Sequence, residues 1–403
     1  MKKKIIFLES LLKEGGGHHM DNLIETTLYF KRNNEIQWLL NKDFKNKGLY
    51  MPENVSINTL VPNNKINFFY SLFSKVKFFF IFSFYFFQNK KLINFWKAFY
   101  KNYFILPDYF NLDVYSFFNN QKFGLKDLII IQSCRPKDVE LIFFLSYLFE
   151  KMPKIILRIL YPPKKKIIKD FYYYTKQLIN KKYQLKIFTE VSSVKTYIKD
   201  RLNYEIKNFT QIYTFYTRKN PETFTLGFLG ETRNDKGFNK LPEFIKILSE
   251  KNINFNFIIQ FSKKIYPDTE NTKNEILNIA KTNQKIKILD GYIDFWDYRN
   301  YLQKINIMPL LYDADKLNFV GSGLFYSCIT HEIPIIIPRN AYLLKEYLAH
   351  RSYEEADSTE EYANSVLKII NNYKFYLNEC KKFSNSYRKN ISNDPLVLEI
   401  EKV

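Results

Sequence analysis

Cysteine is scarce in this chain of 403 residues. Its three cysteines, Cys134, Cys328 and Cys380, lie far apart in sequence, and no CxxC pair is present. Neither a disulfide framework nor a zinc site is therefore indicated. This cysteine usage fits a reducing compartment.

Glycine is also infrequent, with 11 residues in the chain. The glycine-rich nucleotide-binding patterns GxGxxG and the Walker sequence are both lacking. Glycine is conformationally costly, and it is kept where the backbone turns sharply or closely approaches another group. The few loops in which glycines cluster are therefore candidates for a functional site.

No hydrophobic run is long enough to cross a bilayer. The most apolar stretch, Lys77 to Phe87, has about half of the ~20 residues that a transmembrane helix needs. The amino terminus, MKKKIIFLES, begins like a signal peptide, but its apolar run is short and Glu9 interrupts it. No small-residue cleavage site follows, so we interpret this segment as a first β-strand.

The net charge is +20, and Lys, Asn, Ile, Phe and Tyr are all abundant. Two explanations of this composition are equally good. It reflects an AT-rich genome, or the positive charge attracts an anionic partner. That partner would be membrane phospholipid or a phosphorylated substrate. A nucleic-acid partner is not expected, because no regularly spaced basic helix, RNP-like motif or zinc finger is present.

Residues 66–111 are dense in Phe, Tyr and Lys. Two interpretations stand. The segment forms core helices that cover a sheet, or it forms an interfacial helix that contacts anionic membrane, because basic residues beside aromatic ones suit the headgroup layer.

Short β-branched runs alternate with longer helical patterns along the chain, which predicts parallel sheets covered by helices and hence the α/β class. The alternation restarts after Asn220 and Pro221. We predict an N-terminal Rossmann-like domain over 1–215 and a C-terminal one over 216–380. The segment 381–403 would be a C-terminal element returning to the first domain.

Three loops follow predicted strands, and ligands of open α/β sheets bind at that edge. The first, GGGHHMDN, contains Gly16 and Gly17, which allow close approach to a ligand, and opens a helix whose amides favour an anion. His18 is a candidate hydrogen-bond donor or base. An ordinary loop with solvated histidines is the alternative.

The second loop, GETRNDKGF, places Arg233 and Lys236 just after a strand. Two cations above a helix amino terminus suit a diphosphate, because arginine binds oxygens bidentately and lysine acts as a point charge. The third loop leads to Ser322, a good helix N-cap, whose hydroxyl would point at a ligand together with the amides of Gly323 and Leu324. Solvated charges and an ordinary capped helix are the respective alternatives.

The stretches GFLGETRNDKGFNKLPEFI and YDADKLNFVGSGLFYSCITHEIPIIIP resemble the C-terminal half of GT-B glycosyltransferases, most closely the bacterial family 4 type. The likeness covers about 150 residues. It implies two Rossmann-like domains facing across a cleft and a nucleotide-sugar donor. It also implies phosphate contacts from Arg233 and Lys236, a donor site that includes Tyr312, and a nucleotide base near Gly291 and Tyr292.

The resemblance has three departures. Where many family members carry the second of two glutamates this chain has Ser327, and Glu332 stands in place of a glycine. Glu231 occupies the usual arginine position, with Arg233 two residues further on.

The resemblance implies a glycosyltransferase without cofactor, in which fixed cations replace a metal. A retaining reaction needs no protein base, whereas an inverting one would use His18. The expected acceptor is a saccharide or lipid-linked saccharide of surface polysaccharide or lipopolysaccharide synthesis. The enzyme would be cytoplasmic, at the inner face of the plasma membrane. The alternatives are a non-catalytic nucleotide- or saccharide-binding protein of the same fold and, more weakly, an RNA-binding protein.

Overall fold

The protein is described from a computed structural model. The structure describes residues 2–12, 18–45, 50–61, 112–121, 123–124, 126–146, 153–160, 168–180, 183–262, 266–313, 322–341 and 350–402. The chain divides into two compact units. The first comprises residues 1–15, 26–209 and 395–403, and the second comprises 16–25 and 210–394.

The first unit contains a parallel sheet of seven strands in the order β3-β2-β1-β4-β5-β6-β7. The central strands are rich in apolar residues, as is typical of strands that are buried on both faces. In β4 and β5, for example, every residue is buried. The strands are β1 (Lys3–Glu9), β2 (Asn34–Asn41), β3 (Val55–Val61), β4 (Leu128–Ile131), β5 (Lys154–Ile159), β6 (Leu185–Thr189) and β7 (Ile206–Asn208).

Helices connect these strands. Pro136 opens α3 at a position where its missing N–H costs nothing, and Asn203 ends α5 in the left-handed conformation. The helices are α1 (His18–Phe30), α2 (Leu112–Asn119), α3 (Pro136–Leu145), α4 (Ile168–Asn180) and α5 (Ser192–Leu202). The first eight residues of α1 belong to the second unit.

The second unit repeats the βα pattern. Its strands are β8 (Phe224–Phe228), β9 (Phe255–Phe261), β10 (Ile286–Asp290), β11 (Met308–Pro309), β12 (Ile335–Ile337) and β13 (Tyr353–Glu355). They form two parallel groups, β10-β9-β8 and β11-β12-β13. A parallel bridge between Leu226 and Ile307 joins the groups, so β8 and β11 are neighbours.

The described residues of this unit also form the helices α6 (Leu241–Glu250), α7 (Glu270–Thr282), α8 (Phe295–Lys304), α9 (Gly323–Thr330), α10 (Thr359–Asn371) and α11 (Tyr373–Ser392). Polar N-caps open three of them. Asp294, Ser322 and Ser358 each accept a hydrogen bond from a first-turn amide. The last helix, α12 (Pro395–Glu401), is part of the first unit, where Glu399 pairs with Lys154 at 2.8 Å.

The α/β class predicted from the sequence is confirmed, since every pairing between named strands is parallel and helices connect the strands. The unit division differs in detail from the predicted boundaries. Position 380 falls inside the continuous helix α11, and the second unit runs on to 394. A helix whose apolar face packs as one stripe offers no internal break.

The three cysteines are buried and free. Among the described residues, no helix combines the length and hydropathy needed to span a bilayer. The aromatic segment 66–111, with its two interpretations, lies outside the described residues.

Candidate active site

The loop after β8 carries the basic residues predicted to hold phosphate. Arg233 precedes a 3-10 helix, Asn234–Lys236. Its guanidinium contacts Asp235 bidentately, at 2.9 and 3.0 Å, and Glu231 at 3.0 Å. Burial lowers the pKa of Arg233, but the charges of Asp235 and Glu231 raise it, so that the pKa lies above its ordinary value. The loop thus holds this cation in a defined position and partly balances its charge.

Lys236 and Gly237 end this short helix. The Lys236 Nζ lies 5.6 Å from the centroid of the Tyr312 ring, within the range of a cation–π contact. Gly237 has a φ of +79°, and a Cβ at this position would lie 2.2 Å from the carbonyl oxygen of Leu311. Glycine satisfies both the conformation and the close approach, which brings the basic loop against the end of β11.

Ser322 stands at the start of α9. Its Oγ accepts a hydrogen bond from the Phe325 N–H at 3.3 Å and lies 3.3 Å from the Tyr312 hydroxyl. Gly323 and Leu324 are the first residues of the helix proper. Their N–H groups belong to the first turn, where amides have no acceptor within the helix.

The two segments are joined by backbone. The Asp313 N–H donates to the Asp235 carbonyl at 2.9 Å. Together with the Lys236–Tyr312 and Tyr312–Ser322 contacts, this bond brings the basic loop and the α9 N-cap to one edge of the sheet, at the carboxyl ends of β8 and β11. The structure therefore places four predicted site residues in one cluster: Arg233, Lys236, Tyr312 and Ser322.

Gln260 organises the other half of this edge, and the sequence analysis missed it. Its side chain, near the end of β9, accepts from the Gly230 N–H at 2.8 Å and donates to the Gly291 carbonyl at 2.9 Å. One buried amide thus ties the loops of two flanking strands to the central one. The only sequence signal was a polar residue inside the apolar run FNFIIQFS.

Gly291 and Tyr292 follow β10, as predicted. Gly291 has a φ of +81°, and nothing lies within 4 Å of a Cβ built there. Tyr292 is 46% exposed and Trp296, four residues later, is 42% exposed. This corner therefore presents two aromatic rings of the kind that can stack on a planar base.

The predicted glycine-rich loop lies largely outside the described residues, which include neither Gly16 nor Gly17. His18 is the first residue of α1, and its side chain is outside the description as well.

Charged residues of α1 and α8 contact one another in the second unit, and the sequence analysis did not select them. Glu25 and Arg299 form a buried ion pair, and the Arg299 guanidinium also lies 3.3 Å from the centroid of the Phe295 ring. Burial raises the pKa of Asp21 to about 7; Arg299 opposes this shift, and Glu25 and Asp294 add to it. Long-range neighbours determine these properties, and the local pattern gives no signal of them.

The two departures in the third stretch have local structural explanations. The Ser327 hydroxyl donates to the Gly323 carbonyl at 3.0 Å, so it bonds within its own helix. Glu332 has a φ of +54°, a conformation that favours glycine. Its carboxylate accepts the Arg218 backbone N–H at 2.9 Å, an interaction that a glycine could not make.

A cavity of about 440 Å³ adjoins the cluster, between the basic loop and the ends of β12 and β13. Asp235, Tyr312 and Asp313 line it on one side and Asp357 on the other. Asp313 also begins an Asp-x-Asp sequence that the sequence analysis did not use, and its second aspartate lies outside the described residues. Among the described residues, no group of three or more His, Cys, Asp or Glu side chains is arranged to hold a metal.

Comparison by sequence found neither a matching protein-family model nor a matching curated protein. Comparison by structure found many similar chains. The glycosyltransferase from Rickettsia africae ESF-5 is 13% identical over 100% of this chain and 99% of that one, with a TM-score of 0.59. TarM is 11% identical over 99% of this chain and 98% of that one, with a TM-score of 0.61.

Anabaena HepE, solved with UDP and glucose, is 11% identical over 96% of this chain and 95% of that one, with a TM-score of 0.56. At sequence identities this low, the structural similarity shows the fold but does not show which reaction the protein performs. The chain therefore has the α/β fold of the GT-B glycosyltransferases.

Proposed function

We propose that the protein is a glycosyltransferase that uses a nucleotide-sugar donor bound by the second unit. The observation that carries this proposal is the cluster of Arg233, Lys236, Tyr312 and Ser322, which the fold assembles from two loops at the carboxyl ends of β8 and β11. The fold supports it, because the similar structures include TarM with UDP and a GlcNAc-bearing glycerol, and HepE with UDP and glucose. The family 4 assignment is part of the proposal.

In this proposal the diphosphate lies between the basic loop and the start of α9. The bond from the sugar C1 to the phosphate oxygen breaks, and negative charge grows on the leaving nucleoside diphosphate. Lys236 and Arg233 stabilise that charge, and the Gly323 and Leu324 amides add their dipoles. A diphosphate oxygen would replace Glu231 or Asp235 as the partner of some Arg233 nitrogens, which the 38% exposure of this side chain permits.

At the same time the acceptor hydroxyl oxygen bonds to C1, and its proton passes to the leaving phosphate. In this proposal the acceptor attacks C1 on the face from which the nucleoside diphosphate leaves, so the reaction is retaining and needs no protein base. The fixed cations take the place of a metal. Gly291 and the exposed Tyr292 contact the nucleotide base, and the glycine-rich loop with Gly16, Gly17 and His18 faces the reacting groups. If the reaction inverts instead, His18 is the proposed base.

The proposed acceptor is a saccharide or lipid-linked saccharide of surface polysaccharide or lipopolysaccharide synthesis. The net charge of +20 supports the proposal that the enzyme acts close to an anionic membrane, at its cytoplasmic face.

The test is turnover of a panel of UDP- and GDP-sugars, with and without simple glycoside acceptors, by the wild type and by Lys236→Ala. We expect the variant to lose about 10²–10³ in kcat, because it lacks one fixed donor to the developing charge. Lys246→Ala is the matched control, since Lys246 is an exposed lysine of α6 that is 75% accessible.

Equal turnover by the wild type and Lys236→Ala would remove the assignment of this site. A rise in melting temperature with UDP or GDP, without turnover of any sugar nucleotide, would instead favour the non-catalytic nucleotide-binding protein.

A further inference from the structure

A second cavity of the second unit lies at the opposite edge of its sheet from the candidate active site. It has a volume of about 650 Å³. Its walls include residues at the amino ends of β8, β9 and β10 and the last residues of α8. In a βαβ arrangement helices run back antiparallel to the strands, so the amino ends of strands and the carboxyl ends of helices share an edge.

The charge of this cavity is strongly one-sided. Lys219, Lys285, Lys287 and Lys304 line it, and Glu222 is the single acidic residue among the described residues that line it. Lys287 and Lys304 lie on one aromatic ring, at 4.9 and 5.7 Å from the Tyr301 centroid. Like charges gathered round a concave surface raise the local concentration of counter-ions, so this cavity favours an anion.

These lysines are not needed to cap the nearby helix ends. Arg218, which is buried, donates to the carbonyls of Leu302, Gln303 and His331 at 2.6, 3.1 and 3.0 Å. One guanidinium therefore already satisfies carbonyls at the ends of α8 and α9. Helix capping therefore does not occupy the cavity lysines. The Lys285 ammonium donates to the exposed Asn254 side chain at 2.8 Å, a bond that a ligand anion could replace.

Two residues that line the cavity, His331 and Tyr216, each have a buried polar atom without a partner among the described residues. These atoms are the His331 Nε2 and the Tyr216 hydroxyl. His331 is 3% exposed, and its Nδ1 lies 2.8 Å from the Ser327 carbonyl, to which it must donate. Burial lowers the pKa of His331 to about 3, so the ring is neutral and its Nε2 is an acceptor. The Tyr216 ring stacks on the imidazole at 4.4 Å.

We propose that this cavity is a second ligand site, distinct from the donor site, and that it binds an anionic saccharide. The lysines would hold the phosphate or carboxylate group. The His331 Nε2 and the Tyr216 hydroxyl would bond to sugar hydroxyls, because buried polar atoms are seldom left unpaired. The inference goes beyond the proposed function and does not depend on which reaction the other edge performs.

The first test measures binding of mannose 6-phosphate to the full chain by calorimetry. We expect Lys285→Ala/Lys287→Ala to weaken binding at least about tenfold, because charge-assisted hydrogen bonds are lost. Lys246→Ala/Lys382→Ala removes the same charge from α6 and α11 and should bind as the wild type does. Lys236→Ala should also bind normally, which separates this site from the donor site.

The second test compares mannose 6-phosphate, inorganic phosphate and mannose on the wild type and on Tyr216→Phe, which removes one hydroxyl only. The wild type should prefer mannose 6-phosphate to phosphate, and Tyr216→Phe should reduce that preference while leaving phosphate binding unchanged. Absence of binding by the wild type, or equal affinity in the Lys285→Ala/Lys287→Ala variant, would overturn the site. Equal affinity for phosphate and mannose 6-phosphate would overturn the saccharide assignment.

Discussion

Gly237 and Gly291 have nearly the same backbone conformation in different surroundings. Their φ values are +79° and +81°. A Cβ on Gly237 would meet the Leu311 backbone at 2.2 Å, whereas nothing lies within 4 Å of one on Gly291. Alanine at Gly291 would therefore introduce only the cost of the left-handed conformation, whereas alanine at Gly237 would add the cost of a steric clash.

We predict that Gly291→Ala lowers the free energy of unfolding by about 1–2 kcal/mol, the cost of a left-handed non-glycine residue. Gly237→Ala should lose a further ~1–3 kcal/mol from overpacking and should also impair donor use. Urea unfolding of both variants measures the difference. Similar losses in the two variants would show that the loop moves away from Leu311 easily.

Glu9 is a buried carboxylate at the end of β1. Burial raises its pKa to about 7, although hydrogen bonds from Ser133 and Leu11 and the charges of Arg135 and Arg158 oppose the shift. Between its ordinary pKa of 4.5 and about 7, the folded state binds more protons at this residue than the unfolded state does. Proton binding by Glu9 therefore stabilises the folded state at low pH, and this stabilisation is lost as the pH rises from about 4.5 to about 7.

Glu9→Gln cannot ionise, so we predict that its stability relative to the wild type increases as the pH is raised from about 5 to about 8. Chemical unfolding at the two pH values provides the measurement. Glu35→Gln, on the exposed part of β2, controls for the change in net charge. A difference between Glu9→Gln and the wild type that is the same at both pH values would contradict the prediction.

Two helices of the second unit end against one arginine. Arg218 donates to carbonyls at the ends of both α8 and α9, and its own backbone N–H is held by Glu332. The chain segment that leads into β8 thereby ties these elements together. The left-handed Glu332, which stands where the family that the sequence resembles has glycine, is part of the same arrangement.

We predict that Arg218→Met destabilises the protein by about 3–5 kcal/mol, because it leaves the carbonyls of Leu302, Gln303 and His331 without the guanidinium that bonds to them. The backbone N–H that donates to Glu332 remains in this variant. Arg339→Met is the matched control. Arg339 pairs with Asp357 and Glu361 on the surface, where ion pairs contribute little. Thermal unfolding compares the two, and a shift for Arg218→Met no larger than that of Arg339→Met would refute this role.

Most strands and helices were predictable, because long apolar runs and 3.6-residue periodicity are local properties. Two very short strands are exceptions. β7 and β13 have three residues each, and both lie at sheet edges with partly exposed side chains. Such strands are formed by pairing with a neighbour, so their own residues contain no clear period.

The charge of the whole molecule bears on its location. With a net charge of +20, we predict that the protein sediments with vesicles containing phosphatidylglycerol at low salt. Binding should fall steeply at about 0.5 M salt, because screening shortens the range of the attraction. Phosphatidylcholine vesicles are the control. Sedimentation that anionic vesicles do not change would remove the proposed contact with membrane.

The sequence by itself determined the α/β class, the succession of the elements and the loops that follow the strands, because these depend on nearest neighbours and on period. It also placed Lys236, Tyr312 and Ser322 in loops of one edge. Only the tertiary structure decided that Asp235 and Glu231 hold Arg233, that Gln260 ties two loops together and that Arg218 caps two helices. The Arg233 contacts depend on the direction in which neighbouring side chains point, and those of Gln260 and Arg218 depend on partners distant in sequence. Neither property is encoded in a local pattern.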